Sequence, residues 1–274
     1  MYYEIIPADR TYHGQTALTY ASKVELRRGQ IVEIMLGRKK TVGFVTKTVG
    51  KPSFTTKEIT DSTDDALTAK QLALFEWLRS YYPAPLGITA SLFVRTIKKP
   101  AETAAQEPAA TTKLPPLTTD QEKALTTIWG GKSSHILHGD TGTGKTRLYI
   151  ELAMRTIEQG KSCLVLTPEI SLTPQLINRF RETFPSTRVL HSELSKSQYD
   201  KTWQAIQHST KPVIVVGTRS SLFSPIQNIG LVIVDEFQEP SYKQEQAPYY
   251  RATRLAAQLA KIHGAQLIFG SATP

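Results

Sequence analysis

Between a short apolar run, Ser134-His135-Ile136-Leu137-His138, and an amphipathic stretch that begins at Arg147 lies Gly139-Asp140-Thr141-Gly142-Thr143-Gly144-Lys145-Thr146. It carries glycine, glycine, lysine and threonine at every fixed position of a phosphate-binding loop. Such a loop needs glycines because its backbone N–H groups curl around phosphates with no Cβ in the way. Lys145 then sets a point charge on the β- and γ-phosphates, and the Thr146 hydroxyl falls on magnesium. The flanks agree with this reading, whereas an ordinary glycine-rich turn would not require them. The run before the loop reads as a strand. The stretch from Arg147 to Gln159 reads as a helix, with Tyr149, Ala153 and Ile157 at i, i+4 spacing, Leu148 and Leu152 widening the stripe, and Gly160 placed for a left-handed C-terminal residue. Ninety residues after Lys145, Val232-Ile233-Val234-Asp235-Glu236 supplies a strand that ends on two carboxylates.

A length of 274 residues exceeds the usual single domain and predicts two. The formal charge of +9, from 33 Lys and Arg against 24 Asp and Glu, favours a polyanionic partner, with nucleic acid first and a merely soluble basic surface as the alternative. Apolar runs such as Val213-Ile214-Val215-Val216 are strand-sized, far below the ~20 residues of a spanning helix. The start, Met1-Tyr2-Tyr3-Glu4, has no apolar signal core. No membrane and a cytoplasmic setting are therefore expected. Cys163, the single cysteine, lies in Ser162-Cys163-Leu164-Val165-Leu166 and reads as a buried strand residue, so neither a disulfide nor a zinc cluster forms within the chain.

Residues 98–116 read as a linker, since prolines at 100, 108, 115 and 116 stand among alanines with no apolar period. Residues 1–97 read as one domain. Its runs Tyr2–Ile6, Gln30–Met35 and Val42–Thr48 are β-prone and separated by glycines, which suggests a small barrel or sandwich. Asp64 to Tyr82 reads as a helix with Leu67, Leu72, Phe75 and Leu78 on one side, ended by Pro83 and Pro85. Within residues 1–60, ten Lys and Arg face five Asp and Glu, and Arg38-Lys39-Lys40 falls at a hairpin tip, where it could reach phosphates or simply be solvated. Residues 117–274 read as a second domain. Apolar strands near 162–167, 187–190, 213–216, 231–234 and 266–269 alternate with helices at Pro174 to Thr183, Ser195 to His208 and Tyr250 to Gly264, with Thr173 as N-cap of the first. That alternation predicts an α/β fold on a parallel sheet with right-handed crossovers.

Ligands of an open parallel sheet bind beyond the carboxyl ends of its strands. Beside a phosphate-binding loop, Asp235 would hold magnesium through water and Glu236 would polarise the attacking water. Leu166-Thr167-Pro168-Glu169, Gly217-Thr218-Arg219-Ser220 and Gly270-Ser271-Ala272-Thr273 each follow a predicted strand. Their small hydroxyls and arginine suit a sugar-phosphate backbone, although any one alone reads as an ordinary loop.

Taken in order these blocks resemble the helicase superfamily whose first lobe, RecA-like in fold, carries motifs I, Ia, Ib, II and III. Pro168 to Gln175, His191-Ser192-Glu193-Leu194, Gly217 to Phe223 and Ser241-Tyr242-Lys243-Gln244 are similar, more narrowly, to the PriA family of primosomal replication-restart helicases. Arg10-Thr11-Tyr12, Arg28-Gly29, Gly43-Phe44-Val45 and Tyr81 to Gly87 resemble that family's N-terminal DNA-binding barrel. The resemblance implies an ATP- and Mg2+-dependent 3′–5′ DNA helicase acting at stalled forks. Its partners would be forked or single-stranded DNA, and other primosome and single-strand-binding proteins, in the bacterial cytoplasm at the nucleoid.

By the same resemblance, Gln121 in Leu117-Thr118-Thr119-Asp120-Gln121 reads adenine, a role that an amide suits, while a helix-start glutamine is the plain alternative. Tyr242, Lys243, Tyr249, Tyr250 and Arg251 fall in an aromatic-rich loop that couples DNA contact to ATP turnover, and rings for stacking beside cations for phosphates support it; a packing loop is the alternative. Catalysis falls to Lys145, Asp235, Glu236 and Gln238, and metal to Thr146 and Asp235. DNA falls to Thr19, Arg38, Lys39, Lys40, Thr218, Arg219, Ser220, Tyr242, Lys243 and Arg251.

Three departures stand out. The family's Asp-Glu-Glu-His block is Asp235-Glu236-Phe237-Gln238 here, and glutamine relays a hydrogen bond but carries no proton. Thr19 stands where the family's 3′-end pocket offers an aspartate. The chain stops at Pro274, so a second lobe and its arginine finger, worth about 10³–10⁵ in rate in comparable enzymes, are expected to be missing, leaving ATP binding with slow hydrolysis. A non-motor DNA-binding module tuned by nucleotide is the alternative function.

Overall fold

In a computed structural model the chain is described at residues 1–95, 114–131, 133–140, 142–168 and 174–273. The expectations for Thr141, for Glu169 to Thr173 and for most of the 98–116 linker lie outside the described residues. Packing divides the chain into two compact units: Met1–Pro100 with Gln244–Tyr250, and Ala101–Lys243 with Arg251–Pro274.

The first unit is built on a curled six-stranded sheet of order β5-β2-β1-β4-β3-β6. Its strands are β1 (Tyr2–Pro7), β2 (Leu18–Ala21), β3 (Gln30–Leu36), β4 (Lys39–Val49), β5 (Lys57–Glu58) and β6 (Asp61–Ala66). Strand alternation sends Tyr3, Ile5, Tyr20, Val32, Ile34 and Val45 to one buried face. On another, Phe44 meets Phe75 edge to face at 5.1 Å, and Phe75 meets Phe93 at 5.7 Å. Phe75 sits on α1 (Ala69–Tyr81), and burying such a ring contributes about 2 kcal/mol.

The expected helix from Asp64 is corrected here, because Asp61–Ala66 is a strand paired antiparallel to β3, with Gln30 opposite Ala66 and Val32 opposite Ser62. The local reason is at Thr68. Its hydroxyl accepts the Gln71 N–H while the Gln71 side chain returns to the Thr68 N–H, a capping box that begins the helix there. The polar residues before it have little strand propensity of their own and take their conformation from β3. A short helix, α2 (Leu86–Ala90), follows.

The second unit begins with α3 (Thr119–Trp129), opened by another capping box between Thr118 and Gln121. Its all-parallel sheet has the order β7-β12-β11-β8-β10-β9, with β7 (Ser134–His138), β8 (Ser162–Leu166), β9 (Arg188–Leu190), β10 (Ile214–Gly217), β11 (Ile229–Val234) and β12 (Gln266–Ser271). The expected strand positions are met within a few residues. β8, at the middle, is buried along its whole length. Both faces of a parallel sheet are covered, which is why these strands read as unbroken apolar runs. The covering helices are α4 (Lys145–Glu158), α5 (Pro174–Thr183), α6 (Lys196–Gln207) and α7 (Ala252–His263). Leu148, Tyr149, Leu152 and Ala153 form the buried stripe of α4. Gly160 and Gly264 take positive φ after α4 and α7. Cys163 is fully buried in this core. No helix among the described residues is long and apolar enough to cross a membrane.

Candidate nucleotide site

The turn from β7 into α4 brings the phosphate-binding loop to the carboxyl edge of the sheet, beside the end of β12, where the Gly139 N–H donates to the Ser271 carbonyl at 3.1 Å. Gly142 and Gly144 adopt φ of +89° and +88°, a region that disfavours side chains. A Cβ on Gly144 would also lie 2.4 Å from Gln121 Nε2. The loop and α4 open on a cavity of about 370 Å³ lined by Asp140, Gly142, Gly144, Lys145, Thr146, Asp235 and Glu236. The amino end of α4 faces it, so unpaired N–H groups and the helix dipole both favour an anion.

β11 ends in the same cavity. Lys145 Nζ donates to the Gly139 carbonyl at 2.6 Å and lies 3.3 Å from Glu236 Oε1. Glu236 has φ +43°, a left-handed conformation uncommon for a residue with a side chain. Its Oε2 accepts from Gln238 Nε2 at 2.9 Å and from the Ala272 N–H at 3.2 Å. Gln238 in turn accepts from the Ser271 hydroxyl at 2.6 Å, so one amide links the segment after β11 to the last residue of β12. Burial works against ionisation of Glu236, but the bonds from Gln238 and Ala272 and the Lys145 charge hold its carboxyl below the usual range. Asp235 moves the other way: burial pushes it up, against the hydrogen bond from Tyr149. That bond runs from the Tyr149 hydroxyl to Oδ1 at 2.8 Å.

Among the described residues no cluster of three or more His, Cys, Asp and Glu could enclose a metal. One hydroxyl and one carboxylate, Thr146 and Asp235, suit a cation that keeps waters and substrate phosphates as its remaining ligands, which is how magnesium is held. The glycine cradle fits a polyphosphate for the same steric reason given above.

Gln121 does two things. Its Oε1 accepts the Thr118 N–H and its Nε2 donates to the Thr143 carbonyl, both at 3.1 Å, so it starts α3 and braces the loop. One N–H and one lone pair remain for a base. Sequence reasoning missed Gln175, Leu176 and Arg179 of α5, which complete the cavity wall. Gln175 and Arg179 are i, i+4 neighbours beside the buried pair Leu176 and Phe180, a polar face on a helix that was legible.

The expected DNA contacts fare unevenly. Tyr242 is 3% exposed and its hydroxyl donates to the Asp235 carbonyl at 2.6 Å, so its ring is packed inside the unit. Thr218 is likewise buried, at 2% exposed. Arg219 spends one guanidinium nitrogen on the carbonyls of Ser241, at 2.5 Å, and Lys243, at 3.1 Å, and so clamps the loop instead of reaching outward. Lys243, Tyr249 and Arg251 are exposed, Ser220 is half-buried and Tyr250 is buried. In the first unit, Arg38 is exposed in the β3–β4 turn, while Lys39 is paired with Asp9 at 2.7 Å and Lys40 with Glu33 at 2.8 Å. Thr19 lies on β2 opposite Glu4 of β1.

Comparison with known proteins agrees with this arrangement. Residues 118–274 match the DEAD/DEAH box helicase family, and residues 6–95 match the 3′ DNA-binding domain family of PriA. The chain is 39% identical over 258 residues to Replication restart protein PriA of Helicobacter pylori, an alignment that covers 94% of this chain and 41% of the relative. It is 42% identical over 165 residues to that of Bacillus subtilis, covering 58% of this chain and 20% of the relative. The chain thus spans about two fifths or less of these relatives. A parallel sheet that brings loop, lysine and paired carboxylates to one cavity, in a sequence that also carries a match to the 3′ DNA-binding domain of PriA, leaves one assignment: the chain belongs to the DEAD/DEAH box helicase family, with the pairing of domains found in PriA.

Proposed function

We propose that this chain is the N-terminal part of a PriA-like, ATP-dependent 3′–5′ DNA helicase that acts in replication restart at stalled forks. In this reading residues 1–97 bind DNA, 98–116 link, and 117–274 form the first ATP-binding lobe. The protein works in the bacterial cytoplasm at the nucleoid, on forked or single-stranded DNA, with other primosome and single-strand-binding proteins as partners. The observation that carries it is the meeting of Lys145 and Glu236, 3.3 Å apart, in a glycine-walled cavity at the sheet's carboxyl edge.

ATP with magnesium supplies a phosphoryl group open to attack and a cation that draws off its charge. The loop N–H groups from Gly142 to Thr146 orient that phosphate, and Lys145 exchanges its Gly139 and Glu236 partners for it. Thr146 and Asp235 hold the cation. Glu236, ionised because its hydrogen bonds favour the charged form, would accept a proton from the attacking water as the bond to the β-phosphate oxygen breaks and ADP leaves. Gln238 keeps that carboxylate aimed and ties it to Ser271. Gln121 offers its remaining donor and acceptor to adenine. On the DNA side, Arg38, Lys39, Lys40, Ser220, Lys243 and Arg251 meet phosphates, with Thr19 near a strand end.

The test is a titration of fork DNA with and without ATP, on this chain and on Lys145→Ala. ATP should change fork affinity for the parent chain and leave the variant unmoved. Calorimetry that detects no uptake of adenine nucleotide by the parent chain would sink the reading.

A further inference from the structure

Two buried tyrosines converge on Asp235 from different elements. Tyr149 lies one turn beyond Lys145 on α4, so the helix that presents the lysine to the cavity carries the phenol directly beneath it. It is fully buried, and its hydroxyl donates to Asp235 Oδ1 at 2.8 Å. The neighbouring strand is shaped around that hydroxyl: a Cβ at Gly270 of β12 would lie 1.7 Å from it. Tyr242, from the turn Pro240–Tyr242, donates to the Asp235 carbonyl at 2.6 Å. One tyrosine fixes the side chain and the other fixes the main chain, next to the strained φ of Glu236.

Packing alone does not require either hydroxyl. Phenylalanine would fill the same space on α4, and a hydroxyl carried into an apolar core is costly unless it finds a partner. A carboxylate at a strand end is otherwise free to turn about its Cβ–Cγ bond. Pinning one oxygen decides where the other points. Groups that orient a metal-holding carboxylate in this way typically change metal affinity about 10–100-fold when removed.

We propose that Tyr149 is a positioning residue, whose hydroxyl sets the Asp235 carboxylate for the divalent cation while Tyr242 fixes the backbone beneath it. This rests on the reading that Asp235 meets magnesium, and the test separates the two. A fluorescent ATP analogue is titrated against this chain and Tyr149→Phe in EDTA, and then at rising Mg2+. In EDTA the two should bind the analogue alike. The Mg2+ concentration at half effect should rise about 10-fold in Tyr149→Phe, with Tyr242→Phe shifted in the same direction. A merely structural hydroxyl would weaken binding equally with and without Mg2+, and that result overturns the proposal, as does an unchanged Mg2+ midpoint. Asp235→Asn is the reference: it should abolish the Mg2+ response. If it does not, the metal reading itself is wrong, whereas a lost response in Asp235→Asn beside an unmoved Tyr149→Phe overturns the positioning role alone. Should Tyr149→Phe fail to fold, Tyr242→Phe, which adds no bulk and loses only the bond to the Asp235 carbonyl, carries the test, and an unmoved Mg2+ midpoint there overturns the proposal.

Discussion

Gly270→Ala puts the close packing under Asp235 to a thermodynamic test. The new Cβ would sit 1.7 Å from the Tyr149 hydroxyl, 2.9 Å from its ring carbon Cζ and 3.2 Å from Asp235 Oδ1. The hydroxyl must move by more than an ångström, and Tyr149, fully buried, has no open space to enter. Overpacking of this kind costs about 1–3 kcal/mol. Losing the bond to a buried carboxylate adds about 1–3 kcal/mol, so about 4 kcal/mol is expected for the single variant. Tyr149→Phe alone loses only the bond, about 2 kcal/mol. In the double variant the most severe contact is gone and the bond cannot be lost twice. Its total should therefore be only about 3 kcal/mol, below the Gly270→Ala single variant, leaving a coupling near 3 kcal/mol between the two sites. Urea unfolding of the parent, both single variants and the double variant, followed by fluorescence of the buried Trp203 in the same unit, gives the four free energies. Additivity within about 0.5 kcal/mol would refute the reasoning, since independent sites add that well.

Other expectations follow from single contacts. Burial opposes ionisation of Asp9, but the bond from Lys39 and two from Thr11 hold its carboxyl well below the ordinary 3.8. A depressed carboxyl contributes stability above its unfolded value and loses it as pH falls, so acid unfolding below about pH 4 should steepen with Asp9 present and flatten in Asp9→Asn. Arg38→Gln should weaken fork binding about threefold and reduce the salt slope by about one, whereas Lys39→Gln should also lower the melting temperature because it removes the ion-pair partner of the buried Asp9; equal effects would argue against a division of labour in the hairpin. Burial pushes the Cys163 thiol up to about 12, so a thiol reagent at pH 8 should label the unfolded chain at once and the native chain only at the rate of opening.

What could be read early was local. The loop at 139–146, the apolar strands around it and the Pro174–Thr183 helix each announce themselves within a dozen residues, because glycine spacing, unbroken apolar runs and capping chemistry act over that range. β2, β5 and β6 escaped notice for the opposite reason. They are short, and β5 and β6 are polar, so their conformation comes from the neighbouring strand and not from their own composition. Gln238 was legible as a substituted histidine, but its bridge from Glu236 to Ser271 joins the turn after β11 to the end of β12, far apart in the chain.

The sequence by itself determined the chemistry of the site: a glycine cradle, one lysine, one hydroxyl and two carboxylates, in an order that only a parallel sheet can use. Tertiary structure decided which remaining side chains are available to do anything. It turned Tyr242 and Arg219 inward, one onto the Asp235 carbonyl and the other onto the carbonyls of Ser241 and Lys243, and it set Tyr149 against Asp235 across 86 residues of chain. The physical reason is that a buried polar group must find a partner. Which partner lies within reach is a property of how strands and helices are stacked, and no local pattern along the chain records it.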